Sequence, residues 1–243
     1  IRNETNLKLI ATLNKGIHLS NGKYIARMDA DDVAFENRIE TLVHFLETNP
    51  EIDLVCPATV EIDEKGKLLK KSVLRNFSPA GTLFASFLFV PIGHPEILCR
   101  TSLLKQNLFS TDPSALHTED YELWARLIRK GHHLVNLDIV LQYYRINSQS
   151  VSRKYESIQD THFAENIQFH LAECLDKKLS IEVVRVICNR LTDTTSLSDL
   201  KCGLKEIGKL KKEVVQKKNV RDVKILDELN VIYKTHYLDV CYQ

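Results

Sequence analysis

Apolar residues recur at helical spacing at the front of the chain. Leu9, Ile10, Leu13 and Ile17 share one face of a helix predicted between Glu4 and His18, and Gly22 turns the chain after it. Lys23 to Met28 is a short, mostly apolar run that reads as a buried strand and stops at Asp29-Ala-Asp31-Asp32. A second helix follows, with Ile39, Leu42, Val43 and Leu46 as its buried stripe and Asn49-Pro50 as its stop. Asp53 to Ile62 reads as a strand that turns at Lys65-Gly66 into another strand, Leu68 to Leu74. Glu119 to Lys130 places Tyr121, Leu123, Trp124, Leu127 and Ile128 on a helix closed by Gly131. Two short strands come next, His133 to Leu137 and Ile139 to Arg145. Helix and strand in alternation predict an α/β domain with a mainly parallel sheet over residues 1–152. Residues 153–243 change texture: they contain no Pro and no strand-like alternation, and they read as a helical extension with breaks near Ser180, Thr192–Ser198 and Asn219.

Composition narrows the function classes. Hydrophobic residues make up 44% and charged residues 27% of the 243, which excludes wholesale disorder. Lys+Arg 33 against Asp+Glu 32 leaves a formal charge of +1, which argues against a nucleic-acid binder. The longest apolar stretch, Leu83 to Ile92, is broken by Ser86 and Pro91 and is too short to span a bilayer. Six cysteines without a CxxC pair predict reduced thiols and a cytoplasmic location. The charge is uneven, because Lys201 to Lys224 holds nine basic residues against three acidic ones. Leu200, Leu204, Ile207, Leu210 and Val214 run through that segment as one stripe, so it is either a solvated helix face or a helix that rests on anionic lipid or holds an anionic acceptor.

The acidic cluster carries the candidate chemistry. Asp29, Asp31 and Asp32 place three carboxylates within four residues. Two unit charges ~4 Å apart repel by about 4 kcal/mol at an effective dielectric of ~20. A hard cation such as Mg²⁺ or Mn²⁺ offsets that repulsion, and the end of a strand in an α/β sheet is where ligands bind. The bland reading is a solvated acidic loop ahead of the next helix. An EF-hand loop fails, because Val33 and Ala34 occupy its fifth and sixth positions. Met28-Asp-Ala-Asp-Asp-Val33 also satisfies the pattern of a haloacid-dehalogenase-like phosphatase with Asp29 as nucleophile, although no downstream GDxxxD-like string accompanies it.

A third reading is the DxD motif of a nucleotide-sugar glycosyltransferase, and several separated motifs agree with it. Asn14-Lys-Gly, Asn21-Gly-Lys-Tyr-Ile-Ala-Arg-Met-Asp-Ala-Asp-Asp32, Asn37-Arg-Ile-Glu40, His94-Pro95, His117-Thr-Glu-Asp-Tyr-Glu-Leu-Trp124 and Tyr144-Arg-Ile-Asn-Ser-Gln-Ser-Val-Ser152 together resemble family 2 glycosyltransferases. The resemblance covers roughly residues 3–152 and implies a GT-A fold, a Rossmann-like α/β/α sandwich, with transfer that inverts the anomeric centre. It implies a nucleotide-sugar donor, a UDP-sugar first among them, and a glycan or lipid-linked acceptor of surface polysaccharide synthesis. It also implies Mn²⁺ or Mg²⁺, with Asp31 as direct ligand, Asp29 beside the ribose or the metal's water shell, and Asp32 supporting. Asp120 is the implied general base, and Glu119 an acceptor or sugar contact. Arg27 and Arg145 are candidate diphosphate contacts that can instead pair with the acidic cluster. His94 is a candidate acceptor contact or a structural loop histidine, and Trp124 a candidate sugar platform or a core residue.

The pattern also departs from the family. Asn147 stands where members often carry His, and the two opening strands that hold the nucleotide base have no counterpart before Ile1. Unpaired strand edges then predict self-association or weak nucleotide binding, and a non-catalytic binding domain is the alternative to an enzyme. Peripheral contact with the inner membrane face is expected through residues 200–224.

Overall fold

The computed structural model describes residues 2–70, 75–147 and 155–242. In chain order the elements are α1 (Lys8–Leu19), β1 (Tyr24–Ala26), β2 (Val33–Ala34), α2 (Arg38–Thr48), β3 (Leu54–Ile62), β4 (Leu68–Lys70), α3 (Pro79–Ser86), β5 (Leu98–Arg100), α4 (Thr101–Gln106), α5 (Glu119–Arg129) and β6 (Leu134–Arg145). Four helices follow among the described residues: α6 (Glu156–Leu175), α7 (Ile181–Ile187), α8 (Leu197–Lys217) and α9 (Val223–Cys241). Two compact units result, one of residues 1–76 and 92–156, the other of residues 77–91 and 157–243. The sequence pattern places 77–91 in the first domain; in the structure it joins the helices.

In the first unit the sheet path is β1-β5-β3-β6-β2, with β4 also on β3. The mainly parallel sheet is not observed: among the described residues only β3 and β6 pair in parallel, and the other four pairings are antiparallel. The two strands expected at 133–145 are one, β6. Its register against β3 jumps from Cys56↔Asn136 to Ala58↔Val140, so Leu137 to Ile139 bulge out and Ile139 is left exposed. Pro57 sits at the same irregularity, where its missing N–H costs the ladder nothing. The expected strand 68–74 is β4 as far as Lys70, and residues 71–74 lie outside the described residues.

The stripe of α2 is shifted from the expected one. Leu42 and Leu46 are wholly buried together with Arg38, whereas Ile39 is 49% exposed. Leu42, Leu46, Ile52, Val55, Leu98, Val135 and Leu141 form the core between this helix and the sheet.

The second unit packs α3 with its helices. Leu83, Phe84, Phe87 and Leu88 are buried, and Ser78 caps α3 by accepting from the Gly81 amide. Glu228 of α9 accepts from the Ser78 amide at 2.9 Å and fills the space that a Cβ on Gly81 would need. Ser180, Ser196 and Asp222 cap α7, α8 and α9, with a reciprocal Ser196–Asp199 capping box on α8. Helices α7 and α8 meet at Gly203, where an added Cβ would collide with the Val186 side chain and lie 3.3 Å from the Val183 carbonyl. Gly203→Ala is therefore expected to lower the melting temperature by a few degrees. Overpacking costs about 1–3 kcal/mol and exceeds the ~1 kcal/mol that Ala contributes to helix propensity. Gly208→Ala on the same helix meets nothing nearer than the Tyr233 hydroxyl at 3.6 Å, so it should raise the melting temperature; a scan of both variants checks the pair.

Candidate active site

The acidic loop runs from β1 to β2, the two ends of the sheet path, so it crosses the sheet at the carboxyl ends of β3 and β6. Its three carboxylates have different surroundings. Asp32 is buried: its Oδ2 accepts from Gln142 Nε2 at 2.8 Å and its Oδ1 from the Arg145 amide at 2.9 Å. Burial raises its pKa above the ordinary carboxylate value, opposed by the Arg145 amide. Asp29 accepts an ion pair from Arg27 at 2.6 Å. Asp31 is exposed, and its side chain makes no hydrogen bond or ion pair among the described residues. Asp31 thus faces outward while Asp32 ties the loop to the sheet.

Arg145 is committed to the backbone. Its Nε donates to the Asp31 carbonyl at 2.7 Å, and Nη1 donates to the carbonyls of Asp63 and Glu64 at 2.9 and 3.1 Å. The guanidinium, a candidate diphosphate contact, joins the main chain of the acidic loop to that of the β3–β4 turn.

Behind the loop lies a buried polar cluster that sequence reasoning missed. Arg38, 2% exposed, sends Nη2 to the carbonyls of Arg27 at 2.7 Å and Glu96 at 3.0 Å. Arg27's amide in turn donates to the Ile97 carbonyl at 3.0 Å. Glu96 is buried in the turn His94–Glu96, and burial pushes its carboxyl up to about 7. Gly93 leaves room for it, because a Cβ there would occupy the Glu96 carboxylate's place. The available signal was Glu96 between Ile92 and Ile97, a lone carboxylate in a run whose one other polar side chain is His94.

His94 and Trp124, each read as a sugar or acceptor contact or as a structural residue, are both buried. Trp124 is wholly buried, so its ring is not open to a sugar. His94 is 9% exposed, with its ring 5.2 Å from that of Phe109 and edge-on to Trp124 at 6.2 Å. Burial, aided by the Arg27 charge, pushes His94 down to about 3, which keeps the imidazole neutral.

Asp120 lies in the first turn of α5, partly buried, and accepts from the Tyr121 amide at 2.7 Å. Burial pushes its carboxyl up to about 6, and the Glu119 charge adds to this against the Tyr121 amide and Arg27. Arg27 therefore acts on Asp29, His94, Glu96 and Asp120 alike, and links the acidic loop to the start of α5. Ahead of that helix, His117 holds φ 68 and stacks on Tyr155 with ring centroids 4.2 Å apart. A left-handed non-glycine residue marks a backbone held by its surroundings, here two residues before Glu119.

Residues 1–109 match the family model described as glycosyl transferase family 2. This segment belongs to that family. Two curated relatives extend the likeness beyond the family 2 segment. An uncharacterized glycosyltransferase of Methanocaldococcus jannaschii is 32% identical over 155 residues, 60% of this chain and 50% of that one. The amylovoran biosynthesis glycosyltransferase AmsE of Erwinia amylovora is 34% identical over 154 residues, 62% of this chain and 55% of that one. The chain spans about half the length of the curated relatives it matches. Among solved structures, S. aureus TarS 1-349 in complex with UDP-GlcNAc aligns over 93% of this chain and 69% of its own, with 15% identity and a TM-score of 0.49.

Proposed function

We propose that this chain transfers a sugar from a nucleotide-sugar donor to an acceptor hydroxyl with inversion, with Asp120 as general base. The observation that carries the reading is the Asp120 carboxyl: it is poised near 6, at the start of a helix, and coupled through Arg27 to the acidic loop. A base with its pKa just below neutrality is ionised at working pH yet basic enough to take a proton from an attacking hydroxyl. Inversion asks for one such base on the face opposite the departing diphosphate, and Glu119 beside it is the candidate acceptor or sugar contact. What supports this over a phosphatase with Asp29 as nucleophile is that Asp29, Asp31 and Asp32 lie inside the family 2 segment.

A divalent cation, Mn²⁺ or Mg²⁺, fits the donor set of the loop. Among the described residues no three His, Cys, Asp or Glu side chains converge as a closed metal cage. Mg²⁺-type sites use one or two carboxylates and take further oxygens from substrate phosphates, which suits an outward Asp31 with Asp29 nearby. When bound, the cation offsets charge that develops on the departing nucleotide. Asp32 and Arg145 hold the loop that presents Asp31. A UDP-sugar donor and a glycan or lipid-linked acceptor of polysaccharide synthesis complete the reading; a relative named for amylovoran biosynthesis supports the acceptor class.

A thermal-shift panel of UDP, GDP, dTDP and CMP, with and without Mn²⁺, tests the donor site. Ligand at about 100 times its dissociation constant stabilises by roughly 2.7 kcal/mol, several degrees for a chain of this size. The expected result is a Mn²⁺-dependent shift with one nucleotide that Asp31→Ala abolishes. A shift that is indifferent to metal and to Asp31, or none with any nucleotide, overturns the proposed site.

A further inference from the structure

We propose that the outward faces of α8 and α9 form a basic, apolar-studded surface that rests on an anionic lipid bilayer. The helices sort their charges by direction. On α8, Gly203, Ile207, Leu210 and Val214 are buried, and the opposite face presents Lys201, Lys205 and Lys212, all exposed and within one narrow strip of the helix. Of the segment's three acidic residues, Glu206 and Glu213 are held in ion pairs, and Asp222 caps α9 in an exposed position. Glu206 is 6% exposed and pairs with Lys177 and Lys209, and Glu213 pairs with Lys177 at 2.9 Å. Among the described residues, the exposed charges of α8 that have no ion pair are lysines.

Helix α9 continues the surface. Lys211 of α8 donates to Asn230 Oδ1 at 2.7 Å and lies over the Tyr233 ring at 4.7 Å, which brings Lys211, Lys212 and Lys234 together. Burial lowers the Lys211 pKa, and the charges of Lys212 and Lys234 add to this. None of Lys201, Lys205, Lys212 and Lys234 has an ion pair among the described residues. Beside Lys234, Val231 is 64% exposed and Leu238 50%, with Tyr242 85% exposed one turn beyond. Asp227 lies on that same strip of α9, with Lys224 and Lys234 on either side of it, and Asp239, also exposed, flanks the strip beside Leu238.

Crowded lysines call for an anionic partner, and apolar side chains between them call for one with a hydrophobic interior. A bilayer rich in anionic headgroups supplies both. A nucleic acid would take up the lysines and leave Val231 and Leu238 in water, and an acidic protein would not need them. Among the described residues no helix is long and apolar enough to cross a membrane, so the contact is with the surface.

Flotation of the full chain with phosphatidylcholine vesicles, with and without 30 mol% phosphatidylglycerol (about a third anionic, so that headgroup attraction dominates), tests the proposal. Binding is expected with phosphatidylglycerol alone and should weaken as salt is raised. A lysine near such a surface contributes roughly fivefold to partitioning, so Lys212→Glu with Lys234→Glu should lower binding at least ~25-fold. Val231→Ser with Leu238→Ser should lower it at unchanged charge. Lys65→Glu with Lys67→Glu, the same charge change in the β3–β4 turn, should leave binding within about twofold if the α8–α9 surface is the contact. Circular dichroism confirms that each variant is folded. Absence of salt-sensitive binding, or an equal loss in the turn variant, overturns the proposal. So does a dimer in sedimentation that the α8–α9 variants abolish without any vesicle binding, since the partner is then a second copy. No readout depends on sugar transfer, so the donor site and this surface stand or fall separately.

Discussion

Replacing Asp120 with Asn is expected to lower the rate of sugar transfer by about 10²–10⁴-fold with little change in donor KM, the signature of a lost general base. In the native chain the rate should climb from pH 5 to pH 7 as a carboxyl near 6 ionises, and in Asp120→Asn that limb should vanish. Stability should move the other way. The folded carboxyl keeps its proton up to about 6, whereas an unfolded one releases it near the ordinary value of 3.8. The folded state therefore binds more protons across that window, and the associated stabilisation, complete below the lower value, is lost as pH rises through the higher. At pH 7 the native chain bears the full cost of the partly buried carboxylate, at most roughly 3 kcal/mol, and Asn removes it. Nucleotide release across a pH series, paired with melting curves, checks both halves. An Asn variant that keeps its rate removes Asp120 from the mechanism.

Arg38→Met is the change expected to cost most in stability. It removes a buried guanidinium from two carbonyls, Arg27 and Glu96, and leaves the Glu96 carboxyl with Arg27 alone of its two neighbouring cations. Breaking a buried, hydrogen-bonded charge typically costs 3–5 kcal/mol, and a fall in melting temperature of roughly 10 °C follows for this chain length. Adding Glu96→Gln should recover part of that loss, because the carboxyl that needed the guanidinium is gone. Additive losses in the double variant would show that Arg38 acts only through the two carbonyls. Since one of these belongs to Arg27, the single variant should also loosen the ion pair with Asp29 and weaken nucleotide binding in Mn²⁺.

The parts legible in the sequence are those that local pattern controls. Three carboxylates closing an apolar run announced the acidic loop, and Glu119-Asp120 opening an amphipathic helix announced the other side of the candidate site. Strand existence was also legible, but strand partners were not. A short apolar run such as Leu98–Arg100 serves an antiparallel or a parallel neighbour equally well, and the β3–β6 bulge made one strand look like two. Arg38 was hidden for a different reason. Arginine is ordinarily exposed, and nothing within α2 reveals that two carbonyls from other segments wait for it at the helix start. Trp124 had no local sign to separate a buried ring from a sugar platform, and tertiary packing decided for burial.

Helix α3 has a consequence for how the protein is made. Its partners in the helical unit, α8 and α9, emerge from the ribosome long after it does, with the whole stretch from His94 to Arg145 synthesised in between. At 5–20 residues per second, Leu83, Phe84, Phe87 and Leu88 wait roughly 10–30 s for Leu229 and the rest of α9 to arrive. During that interval a strongly apolar segment has no permanent shelter on a nascent chain, which is the situation that recruits holding chaperones. The interleaved order of the two units thus makes synthesis, rather than equilibrium stability, the vulnerable stage: slowing translation downstream of α3 should lower yield before it alters the melting curve.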